Sequence, residues 1–197
     1  MKKVFIDGSA GTTGLRIFDR LHRRTDIQLL TLPESERKLE ASRKKMLNEA
    51  DVVFLCLPDD AACEAALWVE NPDTVVLDTS TAHRTAPGWC YGFPELSPVQ
   101  EARLRQAKRI AVPGCHASGF IALVYPLVSA GLLTPDALLS CYSLTGYSGG
   151  GKKMIAEYRA PERSFLLNAP RQYALGQTHK HLKEMKAVTG LANEPVF

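Results

Sequence analysis

The 197-residue chain has no long apolar run, no paired-cysteine motif and almost no excess of charge, and each shortage removes a class of protein. No stretch is apolar for long enough to span a bilayer, so no membrane partner is expected. Met1-Lys2-Lys3 carries the charge of a signal n-region, but the apolar run Val4-Phe5-Ile6 ends at Asp7, and secretion is not expected. Cys56, Cys63, Cys90, Cys115 and Cys141 are odd in number and contain no CxxC pair. They read as reduced thiols of a cytoplasmic protein, neither a disulfide frame nor a zinc site, and no metal is expected. A net charge of +3 is too small to argue for nucleic acid. Ordinary charged and apolar fractions exclude disordered and fibrous classes, and no internal repeat or low-complexity tract is present. The length suffices for one large domain or two small ones with a real core.

What the chain does contain is strand alternating with helix. Lys3 to Asp7 reads as a buried strand, followed by Gly8-Ser9-Ala10-Gly11-Thr12-Thr13-Gly14, with Leu15, Phe18 and Leu21 as the inward stripe of a helix. Glycines after a strand let the backbone approach a pyrophosphate, and the helix N-terminus supplies donors and partial positive charge. The spacing is GxxGxxG rather than GxGxxG, and by itself it also fits a tight turn without a ligand. Ile27 to Leu32 is a second strand, running into Pro33-Glu34-Ser35-Glu36-Arg37-Lys38. Glu34 or Glu36 would suit a ribose hydroxyl; Ser35, Arg37 and Lys38 suit a 2′-phosphate and favour NADP over NAD. The competing account of Arg37 and Lys38 is a solvated helix start.

Asp51 to Leu57 is almost continuously apolar, as in a sheet buried on both faces. Pro58-Asp59-Asp60 opens a helix through Ala61, Ala65 and Val69, and Thr74 to Asp78 forms the next strand. Short loops between such elements predict a Rossmann-type, doubly wound parallel sheet, with ligands beyond the carboxyl ends of its strands. The polar loop Asp78 to Arg84 falls at such an end, offering Ser80 to a cofactor and Arg84 to a phosphate or carboxylate. Tyr91 to Leu96 reads as a turn-rich connection, and Pro98 opens another helix.

Arg109 to Val112 is a short strand broken by Pro113-Gly114, after which Ala117, Phe120, Ile121, Val124 and Val128 fall at helical spacing up to Gly131. This places Cys115 at a helix N-terminus, where free N–H groups and the dipole favour thiolate and can hold an oxyanion. Farther on, Leu138 to Tyr147 alternates enough for a strand, and Ser148-Gly149-Gly150-Gly151-Lys152-Lys153 suits either an anion or a hinge. Gln177 to Met185 reads as a short capped helix carrying His179 and His181, whose i, i+2 spacing does not suit a metal pair.

Taken together, Gly8 to Gly14, Asp78-Thr79-Ser80-Thr81-Ala82-His83-Arg84, Tyr91-Gly92-Phe93-Pro94-Glu95-Leu96, Val112-Pro113-Gly114-Cys115 and His179-Lys180-His181-Leu182 resemble the N-acetyl-gamma-glutamyl-phosphate reductases of the shorter type. That family belongs with the aspartate-semialdehyde and glyceraldehyde-3-phosphate dehydrogenases. The resemblance implies an NADP-binding Rossmann domain over residues 1–114 and a mixed-sheet α+β catalytic domain over 115–197. It implies NADPH-dependent reduction of N-acetyl-L-glutamyl 5-phosphate to the 5-semialdehyde in arginine biosynthesis, with release of phosphate. Cys115 would be the nucleophile that carries a thioester, and His179 or His181 the acid/base. Cofactor contacts would come from Gly8, Ser9, Ala10, Gly11, Thr12, Thr13, Gly14, Ser35, Arg37, Lys38 and Ser80. Substrate contacts would come from Arg84, Ser148, Gly149 and Lys152. A homo-oligomer, dimer or tetramer, is implied at full length. Lys183 stands where the family usually has Pro, and relatives continue beyond Val196-Phe197, so a truncated catalytic domain is expected. Two other readings remain: a dinucleotide-binding module without turnover, and a Cys/His thiol hydrolase.

Overall fold

The computed structural model describes residues 1–197 except Ser148, and Lys152 in its backbone only. The chain divides into two compact units, Met1–Pro113 and Gly114–Phe197.

The first unit is built on a six-stranded sheet of β1 (Lys2–Asp7), β2 (Ile27–Leu30), β3 (Val52–Leu55), β4 (Val75–Asp78), β5 (Cys90–Tyr91) and β6 (Arg109–Ala111). Its order is β2-β1-β3-β4-β6-β5, with every pairing parallel. Helices α1 (Thr12–Leu21), α2 (Glu40–Glu49), α3 (Asp59–Leu67) and α4 (Pro98–Gln106) make the connections. Parallel strands need such crossovers, and a sheet covered on both faces selects the β-branched and apolar runs seen in β1 and β3. Phe5, Val53, Leu55 and Val76 meet Leu47 of α2 and Ala65 of α3 in the core. Alanines let α3 lie close to the sheet, with Ala62 and Ala65 fully buried.

Three local expectations shift in this unit. The Pro33–Lys38 stretch is a turn, and α2 starts only at Glu40, because the residue before it and the Pro33 break keep the backbone extended. Tyr91 belongs to a short strand rather than a connection alone. The α1 stripe does not face the core: Leu15 is half exposed, Phe18 and Leu21 are half-buried, and the close approach of α1 falls instead at buried Gly14.

In the second unit, α5 (Cys115–Ser129) buries Ala117, Phe120, Ile121 and Val124, and packs along α7 (His181–Thr189). Gly131, at φ +68°, ends the α5 segment as the sequence indicates. Helix α6 (Gly151–Arg159), a short 3-10 helix at Phe165–Asn168 and a two-stranded antiparallel ladder of β7 (Leu144–Thr145) and β8 (Arg171–Gln172) complete its regular structure among the described residues. The strand expected over Leu138 to Tyr147 shrinks to β7 and a parallel bridge between Ser140 and Val196. Leu138 and Tyr142 are exposed, and strand alternation without a sheet face to bury gives the backbone no ladder to extend. The last helix begins at His181, four residues later than its polar lead-in suggests, because Gln177 takes φ +51° and interrupts the backbone. Among the described residues no helix is long and apolar enough to cross a membrane.

The turn after β1 is the tightest joint in the first unit. Gly8 has φ +84°, and a Cβ there would overlap the Cys56 carbonyl; a Cβ on Gly14 would overlap the Gly8 carbonyl. Gly8→Ala is therefore expected to destabilise the chain by at least about 2 kcal/mol, combining backbone strain with steric overlap. Urea unfolding checks this, and an unchanged midpoint would mean that the turn relaxes freely.

Candidate active site

In the first unit, the carboxyl ends of β1 and β2 open into a cavity of about 960 Å³. Gly8, Ser9 and Ala10 line it on one side, and Glu34, Arg37 and Lys38 on another. Leu15, Phe18, Leu29, Leu30 and Leu32 give it apolar walls, which explains why the outer face of α1 is not packed into the core. Gly11, Thr12, Thr13 and Gly14 shape the turn and the start of α1 without lining the cavity, and exposed Ser35 shares the Arg37 and Lys38 turn. The cavity therefore joins an apolar slot to a cationic rim and a glycine turn, as a nucleotide with attached phosphates requires.

Beneath the turn lies a pair that the sequence did not disclose. Buried Asp7 ends β1, and Arg43 of α2 meets it with Nη2 at 2.9 Å and Nε at 3.2 Å from Oδ2. Arg43 also sits over the Trp68 ring, 4.7 Å from its centroid. The guanidinium neutralises a carboxylate that would otherwise repel a phosphate at the Gly8 turn. Its only sequence signal was Asp7 at the end of an apolar strand.

The loop after β4 is organised by fully buried Asp78. Its Oδ1 accepts the Ser80 N–H at 2.9 Å, and its Oδ2 accepts the Ser80 hydroxyl at 2.6 Å and lies 2.6 Å from His83 Nδ1. The His83 ring stacks on Trp89 at 3.9 Å. Ser80, expected at a cofactor, thus has its hydroxyl directed onto Asp78 and does not line the cavity. Arg84, expected at a substrate anion, donates from Nε to the Val112 carbonyl at 3.0 Å and from Nη2 to the Thr79 carbonyl at 3.3 Å. It joins the β4 loop to the end of β6. Nearby Cys56 is a different kind of thiol, since burial pushes its pKa up to about 11, with the Asp7 and Asp78 charges adding to the rise.

In the second unit, Cys115 is the first residue of α5 and is exposed. Gly114, its N-cap, donates its backbone N–H to Glu184 Oε1 at 2.7 Å. Glu184 is buried on α7, one turn beyond His181, so the helix carrying the imidazoles also fixes the entry to the cysteine helix. An acidic residue in the first turn of a helix is ordinary, and only the fold reveals that this one serves another helix.

His179 and His181 lie edge to face at 4.4 Å within an aromatic cluster with His116, Tyr173 and Phe197. The Tyr173 hydroxyl lies 2.8 Å from His179 Nε2, while His179 Nδ1 accepts the His181 backbone N–H at 3.2 Å. His116 stacks on Tyr173 at 4.0 Å and meets the Ser143 hydroxyl at 2.5 Å. Burial holds the His116 imidazole below its ordinary pKa. Burial, and then the charge at Cys115, push the Tyr173 hydroxyl up. The unit thus holds Cys115 at the α5 start and the His179/His181 pair, with Tyr173, His116 and Glu184 as groups that the sequence reading did not single out. Gly149 lies in an exposed turn ahead of α6, while Ser148 and the Lys152 side chain lie outside the described residues. Among the described residues no group of three or more His, Cys, Asp or Glu is arranged to hold a metal ion.

A parallel nucleotide-type unit with a glycine turn, joined in sequence to a unit that presents a thiol at a helix start and holds a pair of imidazoles, defines the class: a dinucleotide-binding protein with a cysteine–histidine second unit. Residues 3–104 match the NAD binding domain of semialdehyde dehydrogenase, and residues 115–196 match the semialdehyde dehydrogenase dimerisation domain. The chain belongs to the semialdehyde dehydrogenase family. It is 48% identical to N-acetyl-gamma-glutamyl-phosphate reductase 2 of Pseudomonas putida, over 98% of this chain and 62% of that protein. It is 47% identical to the N-acetyl-gamma-glutamyl-phosphate reductase of Rhizobium meliloti, over 99% of this chain and 64% of that one. The likeness to these reductases read from the motifs is therefore borne out, and the chain spans somewhat less than two thirds of their length.

The fold also resembles aspartate semialdehyde dehydrogenase II of Vibrio cholerae, with a TM-score of 0.65 at 15% identity, covering 100% of this chain and 68% of that one. For the Francisella tularensis aspartate semialdehyde dehydrogenase the TM-score is 0.57 at 14% identity, covering 80% and 48%.

Two consequences can be measured. Glu184→Ala leaves the buried Gly114 N–H without its acceptor, and unfolding should be easier by about 1–3 kcal/mol; equal stability in denaturant would show that the carboxylate is dispensable to the α5 start. Cys56, with its pKa at about 11, should react slowly with iodoacetamide at pH 8. Its rate should climb roughly tenfold per pH unit as the thiolate fraction grows. Peptide mass mapping that found Cys56 labelled as fast as exposed Cys63 at pH 8 would contradict this.

Proposed function

We propose that this chain carries the NADPH-dependent reduction of N-acetyl-L-glutamyl 5-phosphate to N-acetyl-L-glutamate 5-semialdehyde, with release of phosphate, in arginine biosynthesis. The observation that carries the reading is an exposed thiol at the first turn of α5, within a unit that also gathers two imidazoles, in a chain whose close relatives bear that enzyme name.

The first unit suits the cofactor. At Gly8 and Gly14 any Cβ would fill the space in which backbone must lie close, and the adjoining cavity supplies apolar walls with Arg37 and Lys38 at its rim. Two cations and Ser35 in one turn favour a 2′-phosphate, hence NADP over NAD. Gly8, Ser9 and Ala10 would hold the pyrophosphate side, with Arg43 cancelling the Asp7 charge beneath. When bound, the cofactor supplies the hydride.

The second unit supplies the covalent chemistry. The Cys115 thiolate adds to the acyl carbonyl, the C–S bond forms, and the C–O bond to phosphate breaks with its electron pair leaving on phosphate. The thioester left on Cys115 is a better hydride acceptor than the acyl phosphate. After reduction the thiohemiacetal collapses, returning the sulfur as thiolate while the His179/His181 pair moves the hydroxyl proton. Backbone N–H groups at the α5 start steady the oxyanions. Reduced thiols suit a cytoplasmic setting, and a second unit of the dimerisation-domain type suits a homodimer or a tetramer built from it.

Cys115→Ser should abolish phosphate-dependent oxidation of the semialdehyde while leaving NADPH titration unchanged. Loss of both together would make Cys115 a structural residue. NADPH binding without turnover in the unaltered chain would mark a binding module, and ester hydrolysis without nicotinamide would mark a thiol hydrolase.

A further inference from the structure

Tyr173, in the second unit's aromatic cluster, has no part in the mechanism above, and its surroundings determine what it can do. The His181 backbone N–H can only donate, so His179 Nδ1, 3.2 Å away, is an acceptor and carries no proton. The neutral imidazole then holds its proton on Nε2, and Nε2–H donates to the Tyr173 oxygen at 2.8 Å. That contact fills an acceptor position on the phenol and turns its own O–H away from His179. The ring cannot swing freely, since it stacks on His116 at 4.0 Å with planes within 10° and meets Phe197 edge-on at 5.8 Å.

The ring lies against the start of α5, because the His116 on which it stacks is the residue that follows Cys115. Among the described residues no hydrogen bond joins the phenol to the thiol, so Tyr173 is not a direct partner of the resting sulfur. A fixed donor near a nucleophile, yet separate from it, matches a position where negative charge appears only once the nucleophile has added.

We propose that the Tyr173 hydroxyl is a further catalytic residue, donating a hydrogen bond to the oxygen that becomes anionic when an acyl group adds to Cys115. This rests on the reading of Cys115 as an acyl-accepting nucleophile. As the C–S bond forms, the carbonyl π pair moves onto oxygen, and that oxyanion accepts from Tyr173. When the pair returns, the bond to the leaving phosphate breaks. Tyr173 keeps its proton throughout, and His179 acts on it as a positioning residue through Nε2–H.

The test compares two reactions of the same sulfur in the 197-residue chain. Acetyl phosphate acylates Cys115 through an oxyanion, whereas iodoacetamide alkylates it without one, and both are followed by intact and peptide mass. Tyr173→Phe keeps the ring and its stacking. It should slow acylation on the order of 100-fold, the low end of what an oxyanion donor contributes, and leave alkylation within about twofold. Equal acylation in the variant and the parent would overturn the role of Tyr173 while leaving the Cys115 reading intact. Parallel loss of both rates would overturn it as well, assigning Tyr173 to the structure of the thiol site. A parent chain that alkylates at Cys115 but is never acylated there would remove the acyl-transfer reading and this proposal together. His179→Gln gives an independent check: it should slow acylation, not alkylation, and an unaffected acylation rate would rule out His179 as the group that orients Tyr173.

Discussion

A backbone N–H buried at the start of a helix must find an acceptor, and the Gly114 N–H finds the Glu184 carboxylate at 2.7 Å. This bond sets the geometry of the second unit. It fixes where α5 begins, and so where Cys115 stands; it sits on α7, so the position of His181 is set by the same rigid element. The remaining N–H groups of the first α5 turn keep their dipole without being folded into a loop of their own, which is the condition for meeting a transient negative charge. Buried carboxylates are costly unless satisfied, and the Gly114 N–H is one of the donors that satisfy this one.

The same solution recurs in the first unit. Asp7 and Asp78 end β1 and β4, the strands on either side of β3, both buried, and each is answered by donors: Arg43 of α2 for Asp7, Ser80 and His83 of the following loop for Asp78. These networks hold the two loops at the carboxyl ends of β1 and β4 in one conformation. They also leave the outer rim, with Arg37 and Lys38, as the charged surface of the cavity. A reactive region is thus framed by side chains whose own hydrogen-bonding needs are met. Burial pushes the pKa of Cys56, a thiol within this frame, up to about 11.

Much of the site was legible in the primary structure because it depends on short-range chemistry. The Gly8 to Gly14 turn follows from the strand before it and the helix after it, and both conformational demands fall on residues only six apart in the chain. The Cys115 helix start follows from Pro113-Gly114 and an apolar stripe at helical spacing. What could not be read were pairings across distance. Glu184 and Gly114 are 70 residues apart, Arg43 and Asp7 are 36 apart, and nothing in a charge or a spacing announces them. Local readings also failed where packing overruled pattern. The α1 stripe borders a cavity instead of the core, and the Leu138 to Tyr147 alternation meets no sheet.

The order of amino acids determined by itself where strands, glycine turns and helix starts fall, since these follow from local backbone preference and from apolar periodicity. It thereby marked Cys115 and the His179/His181 pair as chemistry-bearing. The tertiary structure alone decided which donors reach which acceptors: that Tyr173 engages His179, that Arg43 answers Asp7, that Ser80 and Arg84 turn toward loop backbone and carboxylate. Hydrogen bonds are satisfied by position in space rather than by order in the chain, and only folding brings those positions together.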